Sequence, residues 1–375
     1  MKPKFSRKQI AKAGEFLLSP DAVREDNEKF SESMDILSYW RFSHADALEK
    51  AFIFLQEETL KRDRTAIFAK RLKRHISIVR KLQRFETMKL SRIQDIGGCR
   101  AVLSNYKKLQ QVLRELKKRP EFRGVDGKFK YKDYIKRPKD DGYRSYHLIG
   151  RFSDFNGEKK SIEIQLRTRI QHYWATALEI VDLFTDQALK SNQGDEVWKT
   201  FFTHVGVQFA VLDEIHLFDT METPKQNEKY VETLTGNDAL IHSCRVAQEH
   251  CVKLDVFEKF NGFAGSLKVI DEKLSADSGQ AGYVLLKIDT SEHQVYSEFF
   301  SNGDSRIAEE KYIEAEKEAY GKSKIAVALV STSAVGDIKE AYPNYFADST
   351  KFMDHLDHIA NANITPPASH YNTKL

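Results

Sequence analysis

Apolar residues Phe52, Leu55, Leu60, Ile67, Leu72, Ile76, Val79 and Leu82 recur at roughly helical spacing with little Gly or Pro between them, so residues 1–90 read as helical. Ser19-Pro20-Asp21 interrupts that stretch, since Pro suits the first turn of a new helix. From Cys99 the period changes. CRAVLS reads as a short buried strand, and a helix is predicted over 106–118, ended by Pro120. Strand candidates follow at 128–136, 143–152 and 160–168. Between the first two, Asp141-Gly142 signals a hairpin, because both residues tolerate positive φ. A helix over 169–184 and further helical segments reach Phe218. Strand, helix and three strands, with helices before and after, predict an α+β fold rather than a doubly wound parallel sheet.

Residues 220–228 are polar and contain Pro224, the composition of a connector. The chain therefore divides into an N-terminal helical region (1–64), an α+β domain (65–220) and a smaller α+β unit (229–375). That last unit carries helices over 229–275, strands at 282–289 and 294–300, a helix over 304–320, a strand at 325–331 and closing helices.

At 375 residues, 41% hydrophobic and 30% charged, the composition is that of a globular protein. No run of about 18 apolar residues and no signal-like N-terminus is present, so no membrane association is expected. Cys99, Cys244 and Cys251 show no metal spacing and cannot build a disulfide framework, which points to a reducing compartment, the cytoplasm. The net charge of +4 is mild, but its distribution is not. Residues 61–84 hold ten Lys and Arg against Asp63 alone, and a second basic stretch runs from Arg114 to Arg144. A solvated basic helix explains one such run. Two, flanking acidic motifs, favour a polyphosphate or nucleic-acid ligand.

Three segments carry candidate chemistry. In Ser161–Thr168, strand alternation sends Ile162, Ile164 and Leu166 to one face and Glu163, Gln165 and Arg167 to the other. That polar face is either solvated or lines a site. Asp95 precedes Gly97-Gly98, which let backbone and carboxylate approach a ligand. With Glu163 it supplies two carboxylates, as Mg²⁺ accepts beside phosphate oxygens; a turn role for Asp95 is the plainer alternative. Between Lys132 and His147, three tyrosines interleave with bases, as in a site that stacks a nucleobase and neutralises phosphate, or in an ordinary hairpin with paired tyrosines. Walker, kinase and zinc motifs are absent from the sequence.

Taken together, four blocks resemble the synthetase domain of the RelA/SpoT family, which makes (p)ppGpp alarmones. They are Arg71-x-Lys73…Ser77-Ile78-x-x-Lys81, Asp95-Ile96-x-Gly98-x-Arg100, Lys132-Asp133-Tyr134-Ile135-x-x-Pro138-Lys139-x-x-Gly142-Tyr143-Arg144-Ser145-x-His147, and Glu163–Thr168, in family order over about residues 65–185. The resemblance implies a mixed five-stranded sheet of nucleotidyltransferase-like type with flanking helices. It also implies transfer of pyrophosphate from ATP to the ribose 3′-oxygen of GDP or GTP, with Mg²⁺ as cofactor. Arg71, Lys73, Lys81 and Arg100 then match ATP-binding residues, and Asp95 matches the metal ligand. Lys139, Tyr143, His147, Gln165 and Arg167 match the acceptor side, with Tyr143 stacking on guanine. Glu163 matches the catalytic carboxylate, as second metal contact or base.

The chain departs from the family's usual text at Asp141, where Asn is common, and at Gln171–Glu179, where Trp174-Ala175 survives but a following Glu-His pair does not. Glu179 is a loose equivalent. No His-Asp hydrolase signature precedes the domain, so synthesis without hydrolysis is expected. An alternative is a toxin-type relative acting on the 3′ end of tRNA, with the C-terminal unit as fused inhibitor or sensor in phage defence; the basic stretch 61–84 favours it. In the C-terminal unit, Phe260–Ser266 and Tyr342–Phe346 read as turns with aromatic anchors, and His242, Cys244, His250 and Cys251 fit no zinc pattern. Partner-protein binding is that unit's expected role, and homo-oligomers are compatible with it.

Overall fold

The computed structural model describes residues 4–19, 28–85, 87–124, 127–129, 131–185, 189, 194–215, 218–261, 282–289, 294–301, 304–319, 325–331 and 349–364. Its main sheet has five strands: β1 (Ile67–Leu72), β2 (Gly97–Leu103), β3 (Tyr131–Asp133), β4 (Tyr146–Ser153) and β5 (Lys159–Thr168). Their spatial order is β1-β2-β5-β4-β3. Only β2 and β5 run parallel; the other pairs are antiparallel, so the sheet is mixed.

Helices α1 (Arg7–Phe16), α2 (Glu28–Phe42) and α3 (Ala45–Leu60) precede the sheet, and α4 (His75–Arg84) and α5 (Tyr106–Leu116) lie between its strands. The apolar face of the sheet packs on α3 and α5. Ala47, Ala51 and Leu55 meet Ala101, Leu148, Ile162, Ile164 and Leu166, with Leu109, Val112 and Leu116 alongside. Strand alternation thus leaves the opposite face for polar side chains.

Two elements differ from the sequence reading. Residues 67–72 are a strand where a continuous helix was expected. Ile67 and Phe68, both β-formers, and Ala69 pair in register with Val102, Ala101 and Arg100, and tertiary pairing overrides the coincidental helical spacing. The strand expected at 128–136 narrows to three residues, because the Asp133 carboxylate accepts from the backbone N–H of Ile135 (3.1 Å) and Lys136 (2.9 Å) and turns the chain.

A second core joins helices on both sides of residue 220: α6 (Arg169–Thr185), α7 (Glu196–Glu214), α8 (Thr223–Leu234), α9 (Asp238–Lys253) and the helix Thr350–Ala360. The expected connector is partly helical, with Pro224 in the first turn of α8. The buried Tyr230 of α8 donates to Gln208 Oε1 of α7 at 2.7 Å. Strands β6 (Gly282–Asp289), β7 (Gln294–Ser301) and β8 (Ile325–Ser331) form an antiparallel sheet in the order β7-β6-β8, covered by the helix Ser305–Ala319. Lys317 of that helix reaches Asp35 (3.1 Å) and Ser31 (3.0 Å) of α2. Gly262–Ser266 and Tyr342–Phe346 lie outside the described residues. The three cysteines are free and buried. No helix among the described residues is long and apolar enough to cross a membrane.

Candidate active site

The strand register lines the candidate residues up across the polar face. Arg71 of β1 pairs with Gly98 of β2, and Gly98 with Glu163 of β5. One step along, Arg100 pairs with Gln165, Gln165 with His147 of β4, and His147 with Lys132 of β3. Paired residues share a face. Glu163 and Gln165 are half-buried there, while Ile162, Ile164 and Leu166 are buried on the other side.

Asp95 stands at the entrance to β2, gripped from two directions. Lys73, just beyond β1, donates to Oδ2 at 3.0 Å, and Lys81 of α4 donates to Oδ1 at 2.7 Å. Burial works to raise this carboxyl's pKa, but the two ammonium groups outweigh it and hold Asp95 below the usual range. Glu163 opposes them, raising Asp95, and Lys73 in turn lowers Glu163. Of the two glycines, Gly97 serves packing rather than ligand approach: a Cβ there would fall 2.8 Å from Ile162 Cδ1 on the apolar side.

Glu163 heads a hydrogen-bonded chain. Its Oε1 accepts from His147 Nδ1 (2.9 Å) and its Oε2 from Gln165 Nε2 (2.8 Å). His147 Nε2 meets the Tyr143 hydroxyl at 2.7 Å, and Arg167 donates to that same hydroxyl (2.7 Å) and to Gln165 Oε1 (3.1 Å). Burial would raise the Tyr143 phenol, but the Arg167 guanidinium and His147 bring it down to about 7. Burial would lower His147; Tyr143 and Glu163 reverse that, leaving it raised. Glu163 is held far below the ordinary carboxylate range, burial being outweighed by His147 and Gln165. Arg167 Nε and Nη1 are buried with no hydrogen-bond partner among the described residues. Arg100, beside Arg167, is buried and pushed down to about 9, first by desolvation and then by that like charge.

The loop carrying Lys139 sits at the edge of this face. Gly142 adopts φ +90°, the left-handed conformation expected of the Asp141-Gly142 pair, and donates to the Lys139 carbonyl at 2.9 Å. Lys139 Nζ lies 4.5 Å from the Tyr143 ring centroid, and Arg167 Cζ lies 5.0 Å from it. A base stacking on the face under Lys139 therefore has to displace that ammonium.

The basic stretch 61–84 is not one helix, and its cations divide. Lys70 pairs with Glu49, and Lys73 and Lys81 pair with Asp95. Arg64, Arg80 and Arg84 remain exposed. Sequence reasoning missed the support behind the site. Trp174 Nε1 of α6 donates to the Phe202 carbonyl of α7 at 2.9 Å, and Asp213 of α7 accepts from Thr168 (2.8 Å) and Gln171 (2.9 Å). An isolated Gly206 inside an apolar helical run was the one available signal for that packing.

Two ionised carboxylates, a ring of cations and a mixed sheet define an α+β domain suited to polyphosphate chemistry. Residues 70–180 match the model of the region found in RelA / SpoT proteins. Among similar proteins, GTP pyrophosphokinase YjbM of Bacillus subtilis is 39% identical over 98 residues, 25% of this chain and 42% of that protein. GTP pyrophosphokinase YwaC of the same organism is 36% identical over 142 residues, 35% of this chain and 66% of that protein. The chain spans between about one fifth and two thirds of the length of the curated relatives it matches. The crystal structure of small alarmone synthetase 1 from B. subtilis, bound to its product pppGpp, aligns at 26% identity with a TM-score of 0.40. That alignment covers 47% of this chain and 93% of the other.

Proposed function

We propose that this protein is an ATP-dependent pyrophosphotransferase that moves the β,γ-pyrophosphoryl group of ATP to the 3′-hydroxyl of GDP or GTP. One observation above all supports the reading: Asp95 and Glu163 are both kept ionised, the charge of Glu163 reaches Asp95, and Lys73 acts on both. The 3′-oxygen attacks the β-phosphorus, the bond from that phosphorus to the α–β bridging oxygen breaks, and AMP departs with that oxygen. The hydroxyl proton passes to Glu163. Arg71, Lys73, Lys81 and Arg100 hold the donor; Lys139, Tyr143 and His147 hold the acceptor. Gln165 and Arg167 fix the orientation of Glu163 and Tyr143. Phosphoryl transfer passes through a loose transition state, so alignment and charge dominate and a strong base is not needed. That suits a carboxylate held as strongly ionised as Glu163.

Two ionised carboxylates, completed by phosphate and water oxygens, are a donor set that fits Mg²⁺. Asp95 would hold the ion by exchanging the hydrogen bonds of Lys73 and Lys81 for it, and Glu163 by a lone pair that His147 and Gln165 leave free. When bound, it neutralises phosphate charge.

Transfer to the 3′ end of tRNA is the competing reading, for which exposed Arg64, Arg80 and Arg84 are the remaining phosphate track. The test offers γ-labelled ATP and Mg²⁺ with GDP, GTP, AMP or deacylated tRNA in separate reactions. Label on GDP or GTP is expected. Label on tRNA alone, lost steeply as salt rises, replaces this reading with the competing one, and label on no acceptor removes both.

A further inference from the structure

Helix α7 lies outside the segment matched to the family, yet it touches the acceptor loop at three points. Gly142 and Gly206 meet backbone to backbone. A Cβ built on Gly206 would lie 3.0 Å from the Gly142 carbonyl oxygen, 3.3 Å from its Cα and 3.2 Å from Trp174 Nε1. Reciprocally, a Cβ on Gly142 would lie 3.1 Å from the Phe202 carbonyl oxygen and 3.2 Å from Thr203 Cα. The second contact is the Thr203 hydroxyl donating to the Asp140 carbonyl at 3.2 Å. The third runs through Trp174, which is tied to the Phe202 carbonyl at 2.9 Å and presents its ring edge-on to Tyr143, centroids 6.4 Å apart.

Gly206 sits in the interior of a 19-residue helix, where Gly is less favourable than Ala. Helix formation gives no reason for it; the close approach of the loop does. The loop is otherwise stiff. Gly142 N–H donates to the Lys139 carbonyl (2.9 Å), Lys139 N–H to the Tyr143 carbonyl (3.2 Å), and Tyr143 N–H to Asp141 Oδ1 (2.9 Å). A turn so closed moves as one piece, so the height at which it rests on α7 sets where Lys139 and Tyr143 stand over the sheet. Glu163, Asp95 and the donor cations hang from β1, β2, β5 and α4, which make none of these three contacts; the loop meets Glu163 at one remove, through the Tyr143 hydroxyl and His147.

We propose that Gly206 of α7 is a positioning residue for the guanine nucleotide acceptor: its missing side chain lets the Lys139–Tyr143 loop seat directly on the helix. The inference rests on the pyrophosphotransferase reading above. Gly206→Ala forces the loop up by a few tenths of an ångström. That shift lengthens the contacts of Lys139 and Tyr143 with the acceptor, and the expected effect is about five- to tenfold weaker GDP binding, about 1–1.4 kcal/mol at 1.4 kcal/mol per tenfold.

The test compares wild type, Gly206→Ala and Gly206→Ser in steady-state transfer, with GDP and ATP each varied, and in calorimetric titration with GDP alone and with a non-hydrolysable ATP analogue alone. KM and Kd for GDP should rise about five- to tenfold in Ala and further in Ser. The kcat at saturating GDP and the affinity for the ATP analogue should stay within twofold, and the Tm of the Ala variant should not fall. GDP affinity unchanged in both variants overturns the inference and leaves the functional reading standing. Equal weakening of both nucleotides marks a general distortion and also overturns it. Wild-type protein that neither binds nor modifies GDP overturns the reading of the acceptor side, and the inference with it.

Discussion

The hydroxyl of Tyr143 takes a hydrogen bond from Arg167 and shares another with His147, both at 2.7 Å, which makes it an unusually acidic phenol. Its folded value of about 7 lies below the unfolded value near 10. The ionised form therefore favours the fold: that contribution is complete above about pH 10 and fades as pH falls through about 7. Near-ultraviolet titration should show one tyrosinate appearing near pH 7, absent in Tyr143→Phe; an unchanged variant curve would refute the assignment. Glu163→Gln keeps the size of the side chain and its contact with Gln165 but removes the charge that His147 and Lys73 address. Transfer of label from ATP should drop by at least about 10²-fold, the lower end for losing a general base, while circular dichroism stays that of wild type. Alternation alone located Glu163, Gln165 and Arg167 on one face, because a strand has a period that sequence displays. The clasp of Lys73 and Lys81 on Asp95 joins residues up to 22 positions apart through a turn and a helix, and no local pattern encodes it.

Among the elements, β5, α5 and α6 were legible because each carries a full run of its own periodicity between clear breaks. The strand β1 was not. It lies at the sheet edge and is held by six paired positions on β2, a long-range constraint that a window of neighbours does not contain. The joint between β5, α6 and α7 was equally hidden. Asp213 closes it by accepting from Thr168 and Gln171, and burial pushes its carboxyl up to about 7. A carboxyl raised on folding binds its proton more tightly in the native state. Its favourable contribution is fully present below about pH 4 and disappears as pH rises through about 7. The Tm should therefore decline between pH 5 and pH 8, and Asp213→Asn, which cannot ionise, should flatten that decline. Parallel curves for the two proteins would show that Asp213 does not titrate there.

At the scale of the whole molecule, the helix Thr350–Ala360 closes the second core, some 140 residues after α7. Phe352 is almost fully buried, with its ring 5.0 Å from Phe260 and 5.4 Å from Phe209. Phe352→Ala should cost about 3–5 kcal/mol, read as a lower urea midpoint, because the surrounding helices cannot collapse into the space. A loss under about 1 kcal/mol would mean that this helix contributes little to the core. The α+β class was readable from element order, whereas the shared packing of α6, α7, α9 and the last helix was not, since amphipathic helices advertise an apolar stripe without naming its partner. The sheet order has a consequence for synthesis. The strand bearing Glu163, Gln165 and Arg167 is the last of the five to leave the ribosome, yet it occupies the middle. A nascent polypeptide halted before residue 159 holds two separate ribbons, β1 with β2 and β3 with β4, and no strand to bridge them. Glu163 then joins Asp95 and the cations around it only when translation has passed the midpoint strand, so prematurely terminated fragments are born without a complete reaction centre.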